Sequence, residues 1–169
     1  MITVRRAAPA PDGEDSRAVW QWRNDPVTRQ MSRTTDLIAW EDHHRWYART
    51  ASAAGTCLLI LMQDGVPACM VRFDTLAPET AEVHINMNPA LRGTGQGRPM
   101  LAAACAYGWD ELKLSSIYAN IKVENQPSRR IFEGVGFMLT DERAGLLTYK
   151  LTRGGAQAPQ RDVPATPRE

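Results

Sequence analysis

Apolar positions in this chain alternate with polar ones over some stretches and recur every three to four residues over others, and the two periods divide it into elements. Ile2 to Arg6 alternates and reads as a first strand. Ala7 to Gly13 carries proline and glycine and reads as a loop. Ser16 to Asn24 reads as a helix with Val19, Trp20 and Arg23 on neighbouring faces. Asp25-Pro26 opens a second short helical segment, because proline is tolerated in a first turn. From Asp36 to Thr50, Trp40, His44 and Tyr47 recur at four- and three-residue spacing, the period of a longer helix. Cys57 to Met62 and Val66 to Thr75 are strand-like runs joined by Gln63-Asp64-Gly65, a hairpin signal. Thr80 to Met87 predicts the next strand, and Arg98 to Leu112 a helix with Leu101, Cys105 and Trp109 along one stripe. A strand over Ser116 to Asn120 and a short helix over Pro127 to Gly134 follow. Met138 to Arg143 and Leu146 to Leu151 close the pattern as a hairpin around Ala144-Gly145. This order of strands, hairpins and crossover helices predicts an α/β fold: one mixed, mostly antiparallel central sheet with helices on both faces. The domain spans residues 1–153. Residues 154–169, rich in Gly, Ala, Pro and charge, are expected to be disordered.

Composition narrows the function more by exclusion than by indication. The 169 residues fit one domain with a substantial core. A formal net charge of +1 and the absence of a long basic run give no sign of nucleic-acid binding. The first residues run straight into a strand pattern rather than a signal peptide, and no apolar stretch approaches the roughly 20 residues of a membrane helix. Cys57, Cys69 and Cys105 sit in apolar sequence at spacings that match no zinc site, and read as buried, reduced thiols. A cytoplasmic location is the resulting expectation.

The most informative stretch is Arg92-Gly93-Thr94-Gly95-Gln96-Gly97, between a predicted strand and a predicted helix. Such a turn points several unpaired N–H groups one way, and the helix dipole adds partial positive charge at the same point. Glycines let the backbone approach an anion closely, and Arg92 and Arg98 can add charge-assisted hydrogen bonds. The site suits a phosphate or pyrophosphate. No Gly-Lys-Ser/Thr follows, so it is not a Walker A loop. A dinucleotide fingerprint would need glycine where Arg98 stands.

Arg-x-x-Gly-x-Gly at this place resembles the acetyl-CoA pyrophosphate loop of the GNAT acetyltransferase superfamily. A second stretch, Asn125-x-x-Ser128-x-x-x-Phe132-x-x-x-Gly136-Phe137, resembles that superfamily's later motif, and the two come in the expected order. The resemblance covers most of the chain and implies a GNAT-like single-domain fold, acetyl-CoA as cofactor and acetyl transfer to an amine. It also implies that the backbone of Ile85, Asn86 and Met87 pairs with the pantetheine arm, and that Asn125, Ser128 and Phe132 line the cofactor. Asn125 also reads as a helix N-cap ahead of Pro127. Where the superfamily usually has a tyrosine general acid, this chain has Phe132, which has no proton to give. Either the thiolate, with an ordinary pKa near ~8.5, leaves unassisted, or Tyr107, Tyr118 or a water replaces the donor, or catalysis is lost.

In the strand before the loop, Ala81, Val83, Ile85 and Met87 fall on one face and Glu82, His84, Asn86 and Asn88 on the other. A central strand covered on both sides would be apolar throughout. The polar row therefore marks either an edge strand facing water or the wall of a cleft. An attacking amine must lose a proton, and Glu82 and His84 are the candidate bases, directly or through a water. His84 has the more suitable ordinary pKa; Glu82 would need burial to raise its own.

For the acceptor, Trp22-Arg23-Asn24 and the segment His43, Trp46 and Tyr47 resemble signatures of GNAT enzymes that act on nucleotide-linked amino sugars in the pseudaminic-acid pathway. Arg23 offers a fork to a diphosphate, the aromatic rings offer stacking surfaces, and Asn24 and His43 offer hydrogen bonds to hydroxyls. The competing reading makes the tryptophans core and Arg23 a helix C-cap. Adjacent His43 and His44 point different ways on a helix, which argues against a metal pair. The expected partner is a small amino-sugar acceptor, with neither nucleic acid nor membrane involved, for a monomer or homodimer. A protein N-terminal acetyltransferase and a catalytically silent acyl-CoA-binding module are the rival readings.

Overall fold

The computed structural model describes residues 1–155, so the tail from residue 156 onward lies outside the described residues. In chain order the elements are β1 (Ile2–Arg6), α1 (Glu14–Asn24), α2 (Pro26–Met31), α3 (Trp40–Ser52), β2 (Thr56–Gln63), β3 (Val66–Ala77), β4 (Thr80–Met87), α4 (Gly97–Asp110), β5 (Ser116–Lys122), α5 (Gln126–Val135), β6 (Met138–Arg143) and β7 (Leu146–Thr152). The strands form one sheet in the order β1-β2-β3-β4-β5-β7-β6. All pairings are antiparallel except that of β4 with β5. Asp64-Gly65 and Ala144-Gly145, all at positive φ, make two of the tight hairpin turns.

β2 shows why helices lie on both faces. Its run Cys57-Leu58-Leu59-Ile60-Leu61 is buried at every position. Leu59 and Leu61 join the larger core with Val71, Val83, Leu101, Ile117 and Phe132, beneath α4 and α5. Leu58 and Ile60 face the other way, into a smaller core with Val19, Trp22, Tyr47 and Met70, beneath α1 and α3. A strand covered twice has no polar row.

The long helix starts later than its periodicity predicts, at Trp40 rather than Asp36. The cause is Asn24. Its side-chain oxygen accepts from the Ile38 N–H at 2.8 Å, and its amide donates to the Ile38 carbonyl at 2.9 Å, where Trp20 Nε1 also donates at 2.9 Å. With both backbone groups of Ile38 satisfied from α1, residues 37–39 stay outside the helix, which begins after the extended Ala39.

β4 and β5 decide the shape of the site. They pair only at Thr80–Ser116, Ala81–Ile117 and Glu82–Tyr118. Past Glu82, β4 stays paired with β3 as far as Met87, and β5 stays paired with β7 as far as Lys122. The sheet therefore opens into two arms, and the edge of β4 from Val83 onward faces the gap.

His43, on α3, is fully buried. Its Nε2 lies 2.9 Å from the Ser16 carbonyl oxygen and 3.0 Å from Ser16 Oγ. A nitrogen bonding a carbonyl must carry the proton, which fixes the tautomer. Burial, with Arg23 adding repulsion, pushes the imidazole pKa down to about 4. The unfolded chain takes up a proton near pH ~6.5 that the folded one refuses. The stability this gives is complete above that value and is lost as the pH falls toward 4, by up to roughly 3 kcal/mol. Thermal unfolding between pH 7 and 4 is expected to show a shallower loss of stability in His43→Gln than in the native sequence.

Candidate active site

A cleft of about 490 Å³ opens where β4 and β5 part, and its walls include Arg23, Arg72, His84, Asn86, Asn120 and Asn125. β4 is an interior strand, so its polar row belongs to a cleft wall rather than to a solvent-facing edge. Ala81 and Val83 lie in the core, with Ile85 and Met87 packed against it. Glu82 and His84 project from the opposite side of the strand, with Asn86 one turn of the pleat further along.

Glu82 and His84 meet within a network of charges. Glu82 Oε1 accepts from Asn120 Nδ2 at 2.9 Å and from Arg33 Nη2 at 3.2 Å, and lies 3.8 Å from His84 Nε2. The same His84 nitrogen is 3.1 Å from Asp74 Oδ2, a carboxylate that Arg72 holds from Nε at 3.0 Å. Burial pushes the His84 pKa below its ordinary value. Arg72 reinforces that, and Glu82 and Asp74 oppose it. The lowered pKa favours the neutral ring, and because Nε2 faces the Asp74 and Glu82 carboxylates, its proton belongs there and its lone pair on Nδ1.

The glycine loop divides into parts with different duties. Gly93 and Gly95 adopt φ of 72° and 78°, and a β-carbon at either would meet open space. Backbone geometry, not crowding, requires glycine there. Among the described residues no backbone acceptor is found for the N–H groups of Gly93, Gly95, Gln96, Gly97 or Arg98. They surround the start of α4, where an anion is favoured. Thr94 spends its hydroxyl on the Leu91 carbonyl at 2.6 Å. Gly97 is a packing glycine: a β-carbon there would lie 2.4 Å from Ile131 Cδ1 on α5. Arg92 turns its guanidinium to Asp25 and to Thr28 Oγ1, joining the loop to α2. Arg98 lies along α5, its Cδ 3.3 Å from where a β-carbon of Gly134 would be.

Asn125 caps α5, accepting from the Ser128 N–H at 3.3 Å, while both residues face the cleft. Phe132 also borders the cleft but is 2% exposed, packed edge-on against Phe137 with ring centroids 4.9 Å apart. Neither tyrosine considered as a substitute donor lines the cleft. Tyr107 packs against the core from α4, and the Tyr118 ring lies beneath Lys150 Nζ at 5.3 Å.

The residues expected to hold the acceptor separate into two groups. Trp22 and Tyr47 are core, and the Tyr47 hydroxyl donates to the Ala8 carbonyl at 2.8 Å. His43 is buried on Ser16, and Asn24 is spent on Ile38. All four face away from the cleft because the helices that carry them need those side chains for docking. Arg23 does line the cleft and caps no helix; Arg29 Nε reaches the Asn24 carbonyl instead, at 3.2 Å. The Arg23 guanidinium lies 4.2 Å above the Trp46 ring, and that of Arg72 is 5.7 Å from the same ring. Arg23 has no acceptor among the described residues. Its burial, with Arg72 adding repulsion, lowers its pKa to about 10. Arg72, Asp74, Arg33 and Asn120 went unnoticed in the sequence. Only the charge of Arg72 within the apolar run of β3 gave any signal.

The family model for the acetyltransferase (GNAT) domain matches residues 6–138. The chain belongs to the GNAT acetyltransferase family. This GNAT chain is an N-acetyltransferase with acetyl-CoA as its acetyl donor. It is 21% identical over 131 residues to the acetyltransferase PseH of Campylobacter jejuni, covering 78% of this chain and 82% of that one. Among solved structures, the spermidine N-acetyltransferase of Vibrio cholerae in complex with CoA and spermine superposes with a TM-score of 0.78 at 16% identity, over 90% of this chain and 96% of that one. Campylobacter jejuni PseH in complex with acetyl coenzyme A gives 0.71 at 16% identity, over 90% and 99%. These likenesses establish the shared GNAT architecture.

Replacing Gly93 and Gly95 together by valine forces a β-branched residue into left-handed φ, at roughly 1–2 kcal/mol each. The expected outcome is a clear rise in the KM for the acetyl donor with the acceptor KM unmoved. An unchanged donor KM would show that the loop does not hold it.

Proposed function

We propose that this enzyme transfers the acetyl group of acetyl-CoA to the amine of a small, negatively charged acceptor, a nucleotide-linked amino sugar. The observation that carries this is the Arg23 guanidinium, half-buried over Trp46, beside Arg72 and without an acceptor among the described residues. A buried cation beside a second cation is costly until an anion joins them. A phosphate or diphosphate would satisfy Arg23 above Trp46, with Arg72, already paired with Asp74, alongside. A polyamine would meet like charge at the same place. The similarity to PseH supports an amino-sugar substrate from a separate direction.

The chain's residues fit the acetyl donor. The β4 edge beyond Glu82, free of β5, suits an extended arm bearing amides. The N–H groups around Gly93, Gly95 and Gln96 suit a diphosphate at the start of α4. Asn125 and Ser128 line the cleft together with the β4 residues Ile85 and Asn86. Acetyl-CoA supplies the activated thioester. Phe132 contributes a wall and no proton. The proton lost by the acceptor amine passes to the pair His84 and Glu82, with His84 at the opening of the cleft and Glu82 behind it.

Arg23→Gln is expected to raise the acceptor KM about 10- to 100-fold, the worth of a charge-assisted hydrogen bond, with the acetyl-CoA KM unmoved. Replacing Glu82 and His84 together by glutamine is expected to lower kcat by about 10²–10⁴. Thiol release should be followed with UDP-, dTDP- and CMP-linked amino sugars alongside spermidine and N-terminal peptides. Turnover with a nucleotide-linked sugar supports the reading. Turnover confined to spermidine or to peptides overturns it.

A further inference from the structure

The Glu82 carboxylate is gripped from two sides, and the grips differ in kind. Arg33 reaches it from the loop between α2 and α3 with a side chain that is 62% exposed. A long, solvated side chain holds a partner loosely. Asn120 reaches it from β5, a strand fixed on its far side by β7.

Asn120 stands two residues beyond Tyr118, the last β5 residue in register with β4. Its amide therefore spans the sheet where the arms have begun to separate. On the other side it is in register with Thr148, whose Oγ1 lies 2.7 Å from Asn120 Oδ1. A carboxamide can present either end. Were Oδ1 turned toward Glu82, two acceptors would face each other. With the Thr148 hydroxyl donating to Oδ1, Nδ2 is left to donate to Glu82, and every contact in the row has a donor.

We propose that Asn120, oriented by Thr148, is a positioning residue that fixes the Glu82 carboxylate against His84 across the opening of the sheet. It holds the spacing of the proton-accepting pair at the point where main-chain pairing between β4 and β5 no longer does so. The proposal rests on the reading of Glu82 and His84 as that pair.

Nuclear magnetic resonance titration of the His84 ring tests it without any acceptor. The chain has three histidines, so single variants assign the signals. The charged groups facing the ring besides Glu82 are Asp74 and Arg72 from β3 and Arg33 from the loop, and they stay constant across the set. Glu82→Gln should lower the His84 midpoint. Asn120→Ala and Thr148→Val should each shift it the same way by several tenths of a pH unit, a fraction of the ~1-unit spread that folded proteins show. Thr148→Ser, which keeps the hydroxyl, should leave it in place. In the Glu82→Gln background neither Asn120→Ala nor Thr148→Val should move it further. Thr148→Val is nearly isosteric, and melting curves run alongside separate loss of fold from loss of orientation.

The same variants are then assayed for thiol release with a UDP-linked amino sugar, and Asn120→Ala is expected to lower kcat about 10-fold with both KM values unmoved. No midpoint shift, or an equal shift in the Glu82→Gln background, overturns the positioning role alone. So does a raised acceptor KM at unchanged kcat, which would make Asn120 a substrate contact. Undiminished turnover in the Glu82→Gln/His84→Gln variant removes the proton-accepting pair itself, and the proposal with it.

Discussion

The parting of β4 from β5 after Glu82 is the constraint on which the rest of the molecule depends. A parallel pair that stayed in register to its ends would bury its backbone groups in a ladder and leave no room between the strands. Here each strand keeps a partner on its outer side only, β3 for β4 and β7 for β5. The gap lies inside the sheet, walled by backbone from one arm and side chains from both. Much of the chemistry converges on it: His84 and Asn86 of the β4 polar row, the cap of α5, and the arginines carried by α1 and β3.

Such an opening weakens the sheet at its centre, and the structure compensates around it. The larger apolar cluster joins both arms on one face, and the smaller one covers β2 and β3 on the other. Arg92 ties the glycine loop to α2, and the amide of Asn120 crosses the sheet where the main chain does not. Charged groups within the cleft are mostly matched, Arg72 with Asp74 and Arg33 with Glu82. Arg23 stands apart because its charge is left over, over an aromatic ring beside a like charge. Unmatched charge in an otherwise matched cleft is how a protein reserves a place for a ligand of opposite sign.

Phe132 illustrates how position alters meaning. In the motif it marks the absence of a proton donor. In the fold it is a core residue packed edge-on against Phe137, at the border of the cleft. The site has a dry wall there, and its titratable groups collect on the opposite side of β4.

The sequence by itself determined the elements, the two-sided cover of the sheet and the place of the glycine loop. These follow from local periodicity and from backbone conformations that glycine alone adopts readily, as at Gly93 and Gly95. It also determined that Glu82 and His84 share one side of β4, because a strand alternates. Only the tertiary structure decided which side chains near the acceptor are free. Trp22, His43 and Tyr47 carry the same chemistry in a sequence as Arg23 and Trp46, but docking of α1 and α3 consumes the first three and leaves Arg23 facing the cleft. Asn24 was claimed by a loop 14 residues away, and Gly97 by a helix that the sequence places far downstream. Asn120, Thr148, Arg72 and Asp74 acquire their roles only through strand register, which depends on pairings between distant segments that no local pattern encodes.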